Sequence, residues 1–122
     1  MTNHQKLIIY HNPRCGKSRQ GLQLVEESGL KYEVIKYLET PPQVKELTEI
    51  IQKLGIKPIE LVRTKETIWK ENFKGKTLSD IEIIQAMTDH PILIERPIVI
   101  TDSKAVLGRP PEKLNEFLSK LL

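Results

Sequence analysis

The sequence is poor in the residues that build redox pairs, metal cages and membrane anchors. One cysteine, Cys15, stands among 122 residues. It can form no internal disulfide, and a cysteine-based zinc cage is excluded. Any disulfide chemistry at Cys15 must therefore take its second thiol from another molecule. Aromatic residues make up only 5% of the chain, and no basic run is interleaved with them. That is not the footprint of a nucleic-acid binder, and no nucleic-acid partner is expected. No apolar stretch approaches the ~20 residues of a membrane span, so no membrane partner is expected either. The apolar run after Lys6, Leu7-Ile8-Ile9-Tyr10, is too short for the core of a signal peptide, and the expected location is cytoplasmic.

What is present reads as an ordinary globular chain. Hydrophobic residues reach 39% and charged residues 29%, enough for a core and too apolar for disorder. A chain of this length is expected to be a single domain, residues 1–122. The net charge of +3 is a mild, well-mixed surplus that suits a small anionic ligand.

Hydrophobic patterning sets the expected elements. Leu7-Ile8-Ile9-Tyr10 reads as a buried strand and His11-Asn12-Pro13-Arg14 as a turn. A helix follows from about Gly16 to Ser28, closed by Gly29, and Tyr32 to Leu38 alternates as a second strand. A strand, a helix and a strand at this spacing make a right-handed crossover with parallel strands. The middle is helical, an insert at about 41–90. Its first helix is expected to start at Thr40-Pro41-Pro42 with Thr40 as cap, and to end at Gly55. A second helix is expected from Pro58 to about Asn72. A third starts at Ser79, where Ser79 and Glu82 form a capping box, and Pro91 stops it. Trp69 and Phe73, four residues apart, read as packing within the insert. Pro97 to Thr101 and Ala105-Val106-Leu107 form an antiparallel hairpin, and Pro110-Pro111 opens the last helix. The order is β-α-β, a helical insert, then β-β-α: an α/β fold with one mixed sheet.

Cys15 sits where a turn runs into a helix. The free amides and dipole of a helix N-terminus favour a thiolate there. The dipole contributes on the order of 0.3–1 kcal/mol at an exposed site, less than the ~1.4 kcal/mol of one pKa unit. A thiolate at neutral pH therefore needs further help. Arg14, Lys17, Arg19 and His11 stand close in sequence, and Ser18 is placed to donate its hydroxyl to the sulfur. Cys15-Gly16-Lys17-Ser18 is a monothiol version of Cys-x-x-Cys. A lone cysteine is commonly just a small buried hydrophobe, but these polar neighbours at a loop-to-helix junction read as a reactive thiol. The Cys-x5-Arg loop of phosphatases is missing, since Gly21 stands at the arginine's place.

The segment His11-Asn12-Pro13-Arg14-Cys15-Gly16-Lys17-Ser18-Arg19 resembles the active site of the glutaredoxin-linked arsenate reductases, which have a thioredoxin-like fold with a helical insert. The resemblance continues through Leu61-Val62-Arg63, His90 to Val99 with Glu95-Arg96-Pro97, and Gly108-Arg109-Pro110-Pro111-Glu112, nearly the whole chain. It implies Cys15 as nucleophile and Arg63, Arg96 and Arg109 as the arginine trio, with Arg96-Pro97 a cis bond. It implies substrate-binding or thiolate-assisting roles for His11, Asn12, Gly16, Lys17, Ser18 and Arg19. Arginine forks and a helix N-terminus suit a tetrahedral oxyanion such as arsenate. In the implied reaction the Cys15 thiolate attacks arsenic(V) and forms a covalent thio-arsenate. Glutathione attacks next, glutaredoxin removes the glutathione, and arsenite leaves. No metal or bound organic cofactor is required; glutathione is a co-substrate.

Lys17 and Arg14 depart from the small residues common in that family. Two other readings use the same cysteine. A glutathione-dependent thiol oxidoreductase would not need three arginines. An RNA polymerase-binding redox regulator of similar fold would commonly carry a second cysteine where Ser18 stands. The structural alternative for the arginines is salt bridging, since Glu95 and Glu112 lie beside two of them.

Overall fold

The computed structural model describes residues 6–121. In chain order the elements are β1 (Leu7–His11), α1 (Gly16–Glu27), β2 (Tyr32–Lys36), α2 (Val44–Leu54), α3 (Thr67–Asn72), α4 (Asp80–Asp89), β3 (Ile98–Ile100), β4 (Ala105–Leu107) and α5 (Pro111–Ser119). Short 3-10 turns occupy Pro58–Leu61 and Pro91–Leu93. Two compact units result. One joins the chain up to Thr40 with the chain from Arg96 on; the other is Pro41–Glu95. The second unit thus runs to Glu95, past the end of the insert expected at about residue 90.

The first unit is built on a sheet of order β2-β1-β3-β4. β1 and β2 are parallel, as the crossover through α1 requires, and β3 is antiparallel to both β1 and β4. Register carries one apolar row across it. Val34 pairs with Ile9, Ile9 with Val99, and Val99 with Val106, so all four point to one face. Val25 of α1 and Leu114 and Leu118 of α5 bury themselves against this face with Leu7. Full burial of such a side chain stabilises by about 1.5–3 kcal/mol, so this cluster fixes α1, and the cysteine at its start, to the sheet.

In the second unit α2 packs on α4, with Leu47, Ile50, Ile51, Ile83, Ile84 and Met87 buried. The Trp69 and Phe73 rings stack 5.2 Å apart, and Phe73 meets the edge of His90 at 6.0 Å.

Three expected boundaries are corrected. The first helix of the insert begins at Val44, with Gln43 rather than Thr40 as its N-cap. Pro42 holds Pro41 out of helical geometry, and Gln43 N–H is instead accepted by Glu46 Oε1 at 3.2 Å. The helix expected from Pro58 to Asn72 is broken. Val62 is drawn into an antiparallel bridge with Ile94, flanked by Arg63 N–H to the Leu93 carbonyl at 2.7 Å and Glu95 N–H to the Leu61 carbonyl at 2.9 Å. His11, expected in a turn, is the last residue of β1 and pairs with Lys36.

Candidate functional site at the start of helix α1

The loop between β1 and α1 is tied by its own side chains. The Asn12 carbonyl accepts the Cys15 N–H at 3.0 Å, and Asn12 Oδ1 accepts the Arg14 N–H at 3.0 Å. Asn12 is buried and acts as a turn former. From the first turn of the helix, Arg19 Nη1 reaches back to the Pro13 carbonyl at 2.9 Å. These bonds hold Cys15 as the N-cap of α1, in extended geometry with φ −101° and ψ 124°. Its carbonyl accepts the first helical bond, from Arg19 N–H at 3.0 Å. The amides before that residue are left without helical partners.

Two of those amides meet the sulfur. Burial pushes the Cys15 thiol up, but the Ser18 N–H, a hydrogen bond and the positive charge of Arg96, and the Lys17 N–H outweigh it. The thiol lies below the ordinary range as a result. Helix start and arginine thus act together, as the dipole arithmetic required.

Ser18 contributes differently from the sequence reading. Its main-chain N–H, not its hydroxyl, faces the sulfur. The hydroxyl is fully buried, accepts the Asn12 N–H at 2.9 Å and lies 2.8 Å from His11 Nδ1. His11 is held below its usual value by burial, helped by the charges of Lys36 and Arg19 and opposed by Ser18 and Glu26. A neutral ring at neutral pH is therefore part of the loop's buried floor, one step removed from the sulfur.

Arg96 is buried at 9% exposure and is followed by a cis bond to Pro97, as expected; Arg109-Pro110 is also cis. The Pro97 ring is wedged between two glycines. A Cβ on Gly21 would stand 2.6 Å from Pro97 Cγ, and one on Gly108 2.7 Å. Gly108 N–H also bonds the Pro97 carbonyl at 2.9 Å. Only a residue without a side chain lets α1 and the end of β4 approach this closely. The packing of both glycines against Pro97 was not read from the sequence. The available signal was Gly21 inside a helical pattern, which commonly marks close packing.

The other arginines are placed as follows. Arg109 is exposed and directly follows Gly108. Arg63 lies in the second unit, where its guanidinium pairs with Glu66 at 2.8 Å and Glu95 at 3.8 Å. Gly16, Lys17 and Arg19 form, with Cys15, Gln20 and Gln23, a shallow open face along α1. These two glutamines were not singled out from sequence. Among the described residues no cluster of three or more His, Cys, Asp or Glu is placed to hold a metal, and no helix is long and apolar enough to cross a membrane.

Comparison with known proteins gives the family. Residues 10–117 match the ArsC family. An uncharacterised Escherichia coli protein, YfgD, is 48% identical over 93% of this chain and 98% of its own length. An arsenate reductase of Neisseria meningitidis is 45% identical over the same shares of the two chains. The solved structure of an arsenate reductase from Vibrio cholerae superposes with a TM-score of 0.87 at 47% identity, covering 93% of this chain and 98% of that one. The fold is thioredoxin-like, and the chain belongs to the ArsC family.

Proposed function

We propose that this protein reduces arsenate to arsenite through the Cys15 thiolate, with glutathione and glutaredoxin supplying the electrons. What supports the reading is the buried Arg96 guanidinium beside Cys15, which holds the thiol below its ordinary value. A cation there lowers the thiol and is suited to hold the oxygens of an attacked oxyanion.

The steps balance as follows. The thiolate forms an S–As bond and displaces a hydroxide, which leaves as water after taking a proton. A glutathione thiolate displaces a second hydroxide from arsenic. A glutaredoxin thiolate then attacks the glutathione sulfur; an S–S bond forms, the S–As bond to glutathione breaks, and its electron pair stays on arsenic. Arsenic(V) becomes arsenic(III) as two thiols become one disulfide. Water then cleaves the remaining S–As bond, releasing arsenite and restoring Cys15. The external thiols are needed because the chain holds no second cysteine.

Arg96 holds the oxyanion in this reading. Arg109 and Arg63 are assigned the same task by family resemblance, and Arg63 carries the weaker support because two carboxylates already engage it. The test is arsenate-dependent NADPH oxidation coupled through glutathione, glutathione reductase and glutaredoxin. Turnover in the wild type and its loss in Cys15→Ser support the reading. A wild type that is readily alkylated at Cys15 yet turns over no arsenate overturns it.

A further inference from the structure

We infer that the cavity between the β1–α1 loop and the turn after β2 is a binding site for a small organic monocarboxylate, held by the buried donors of His11 and Asn12 and by the cations Arg14 and Lys36. The site is separate from the thiol chemistry above and does not depend on arsenate being the substrate. Its volume is about 290 Å³, and it has two walls. One is the loop of residues 11–14; the other is Lys36 with Leu38 and Glu39. Main-chain bonds set both. The Asn12 carbonyl accepts Cys15 N–H at 3.0 Å, and the Lys36 carbonyl accepts Glu39 N–H at 3.0 Å and Thr40 N–H at 2.9 Å. His11 and Lys36 are partners in the parallel pairing of β1 with β2. The cavity therefore sits at the carboxyl ends of these strands, the end at which open α/β sheets hold ligands.

Two buried side chains point to a ligand. His11 is 4% exposed and Asn12 8%. His11 Nδ1 is taken up by the Ser18 hydroxyl at 2.8 Å, and Asn12 Oδ1 by the Arg14 N–H at 3.0 Å. His11 Nε2 and Asn12 Nδ2 are left with no hydrogen-bond partner among the described residues. Neither atom is sealed in the interior, and the open space that both residues line is this cavity. With the ring proton on Nε2 both are donors, and the partner they lack is an acceptor oxygen. Charge narrows the choice. Arg14 and Lys36 supply two positive charges and Glu39 one negative, so the lining favours an anion of single charge. The Lys36 charge reaches His11. Arg14, which departs from the small residue of the resembled family, is not among the groups named for the thiol and has a task here. Leu38, 37% exposed, and Pro13 give the lining an apolar part. A carboxylate on a short alkyl chain satisfies both parts, its oxygens on the donors and cations and its chain on Leu38 and Pro13. A bare tetrahedral oxyanion would leave the apolar part uncovered.

The test is a nitrogen-15 titration at neutral pH that follows His11 Nε2 and the Asn12 side-chain amide. Sodium butyrate, sodium acetate and inorganic phosphate are added separately, with sodium chloride as the control for ionic strength. Butyrate should move both signals to a saturating limit. It should bind more tightly than acetate by at least about fourfold, the factor of one buried methylene at ~0.8 kcal/mol. Lys36→Glu and Arg14→Glu should each weaken butyrate by about fivefold or more, the factor given by ~1 kcal/mol. Leu38→Ser should erase the lead of butyrate over acetate. The three replaced side chains are exposed, so folding is not at stake. Signals that stay still, or that sodium chloride moves equally, overturn the inference. So does a butyrate affinity unchanged in both charge reversals. Phosphate bound more tightly than butyrate would give the cavity to an inorganic oxyanion and overturn the carboxylate. Arsenate turnover is measured independently: its absence leaves a saturable butyrate site standing, and a failed titration leaves the arsenate reading standing.

Discussion

The Ser18 hydroxyl and the His11 imidazole meet 2.8 Å apart beneath the cysteine loop, both buried. The same hydroxyl accepts the Asn12 N–H. Ser18→Ala therefore strips a partner from two buried groups, at about 1–3 kcal/mol for each group left unsatisfied. Urea denaturation should show that loss. The Ser18 N–H at the sulfur survives the change, so the pH dependence of Cys15 alkylation should move less in Ser18→Ala than in a variant at Arg96. An equal or larger shift in Ser18→Ala would place the hydroxyl, not the amide, on the sulfur.

Arg96→Gln removes both hydrogen bonding to the thiolate and a positive charge that lowers it. Hydrogen bonds to charged groups contribute roughly 1.5–3 kcal/mol. The alkylation rate of Cys15 by iodoacetamide at neutral pH should fall by about tenfold, and its pH profile should move toward that of a free thiol. The sign follows from linkage. The folded-state thiol lies below its unfolded value, so its contribution to stability is present above the unfolded value and is lost as pH falls through the folded one. Arg96→Gln should flatten that dependence. An unchanged alkylation profile would sink the pairing.

His11 is also depressed, mainly by burial. Its neutral form is favoured by the fold. That share of stability is complete above the ordinary histidine value near 6.5 and is lost as pH falls through the lowered value. Urea midpoints should decline more steeply with acid in the wild type than in His11→Asn. Nitrogen-15 spectra should show a predominantly neutral ring at neutral pH, with the ring proton on Nε2. In that tautomer Nδ1 accepts the Ser18 hydroxyl, whose proton would otherwise lose this buried acceptor.

Much of this was legible in the sequence because local chemistry and global fold agree. The apolar run at Leu7 to Tyr10, Gly29 and Gly55 behind their helices, and the Ser79 capping box each specify an element by themselves. What the sequence concealed depends on distant partners. Nothing local to Val62 foretells its bridge to Ile94, which breaks the helix expected there. The Pro41-Pro42 pair carried two readings, a first-turn proline and a block on the residue before it, and the second won. At the site, Cys15 and the amides around it were readable from position alone. That Arg96 reaches the sulfur from the far side of the insert came only through family resemblance. That Ser18 serves His11 with its hydroxyl and the thiol with its amide is a matter of orientation, which spacing does not encode.

Arg63 presents two roles that kinetics can separate. Its ion pairs with Glu66 and Glu95 are only partly buried, and pairs of that kind contribute about 1 kcal/mol or less. If Arg63 also acts on the oxyanion, Arg63→Gln should lower kcat/KM for arsenate by about tenfold, the effect of ~1.4 kcal/mol, with little loss of stability. A stability change with arsenate kinetics intact would confine Arg63 to bracing its own unit.

The Pro97 wedge makes a prediction whose sign is not obvious. Gly21 lies inside α1, and replacing glycine by alanine within a helix normally gains about 0.8–1.0 kcal/mol. Here the new Cβ would stand 2.6 Å from Pro97 Cγ and 3.5 Å from Leu114 Cδ2. Overpacking of that kind costs about 1–3 kcal/mol, so the net effect of Gly21→Ala should be a loss of up to about 2 kcal/mol. The ring it pushes is bonded directly to Arg96. The loss should therefore be accompanied by slower Cys15 alkylation, which a purely structural defect elsewhere in α1 would not produce. Gly108→Ala presses the same ring at 2.7 Å and should act in the same direction. Because both changes act on one proline, the double variant should cost a different amount from the sum of the singles. Additive losses with unchanged alkylation would show that Pro97 moves without carrying the guanidinium with it.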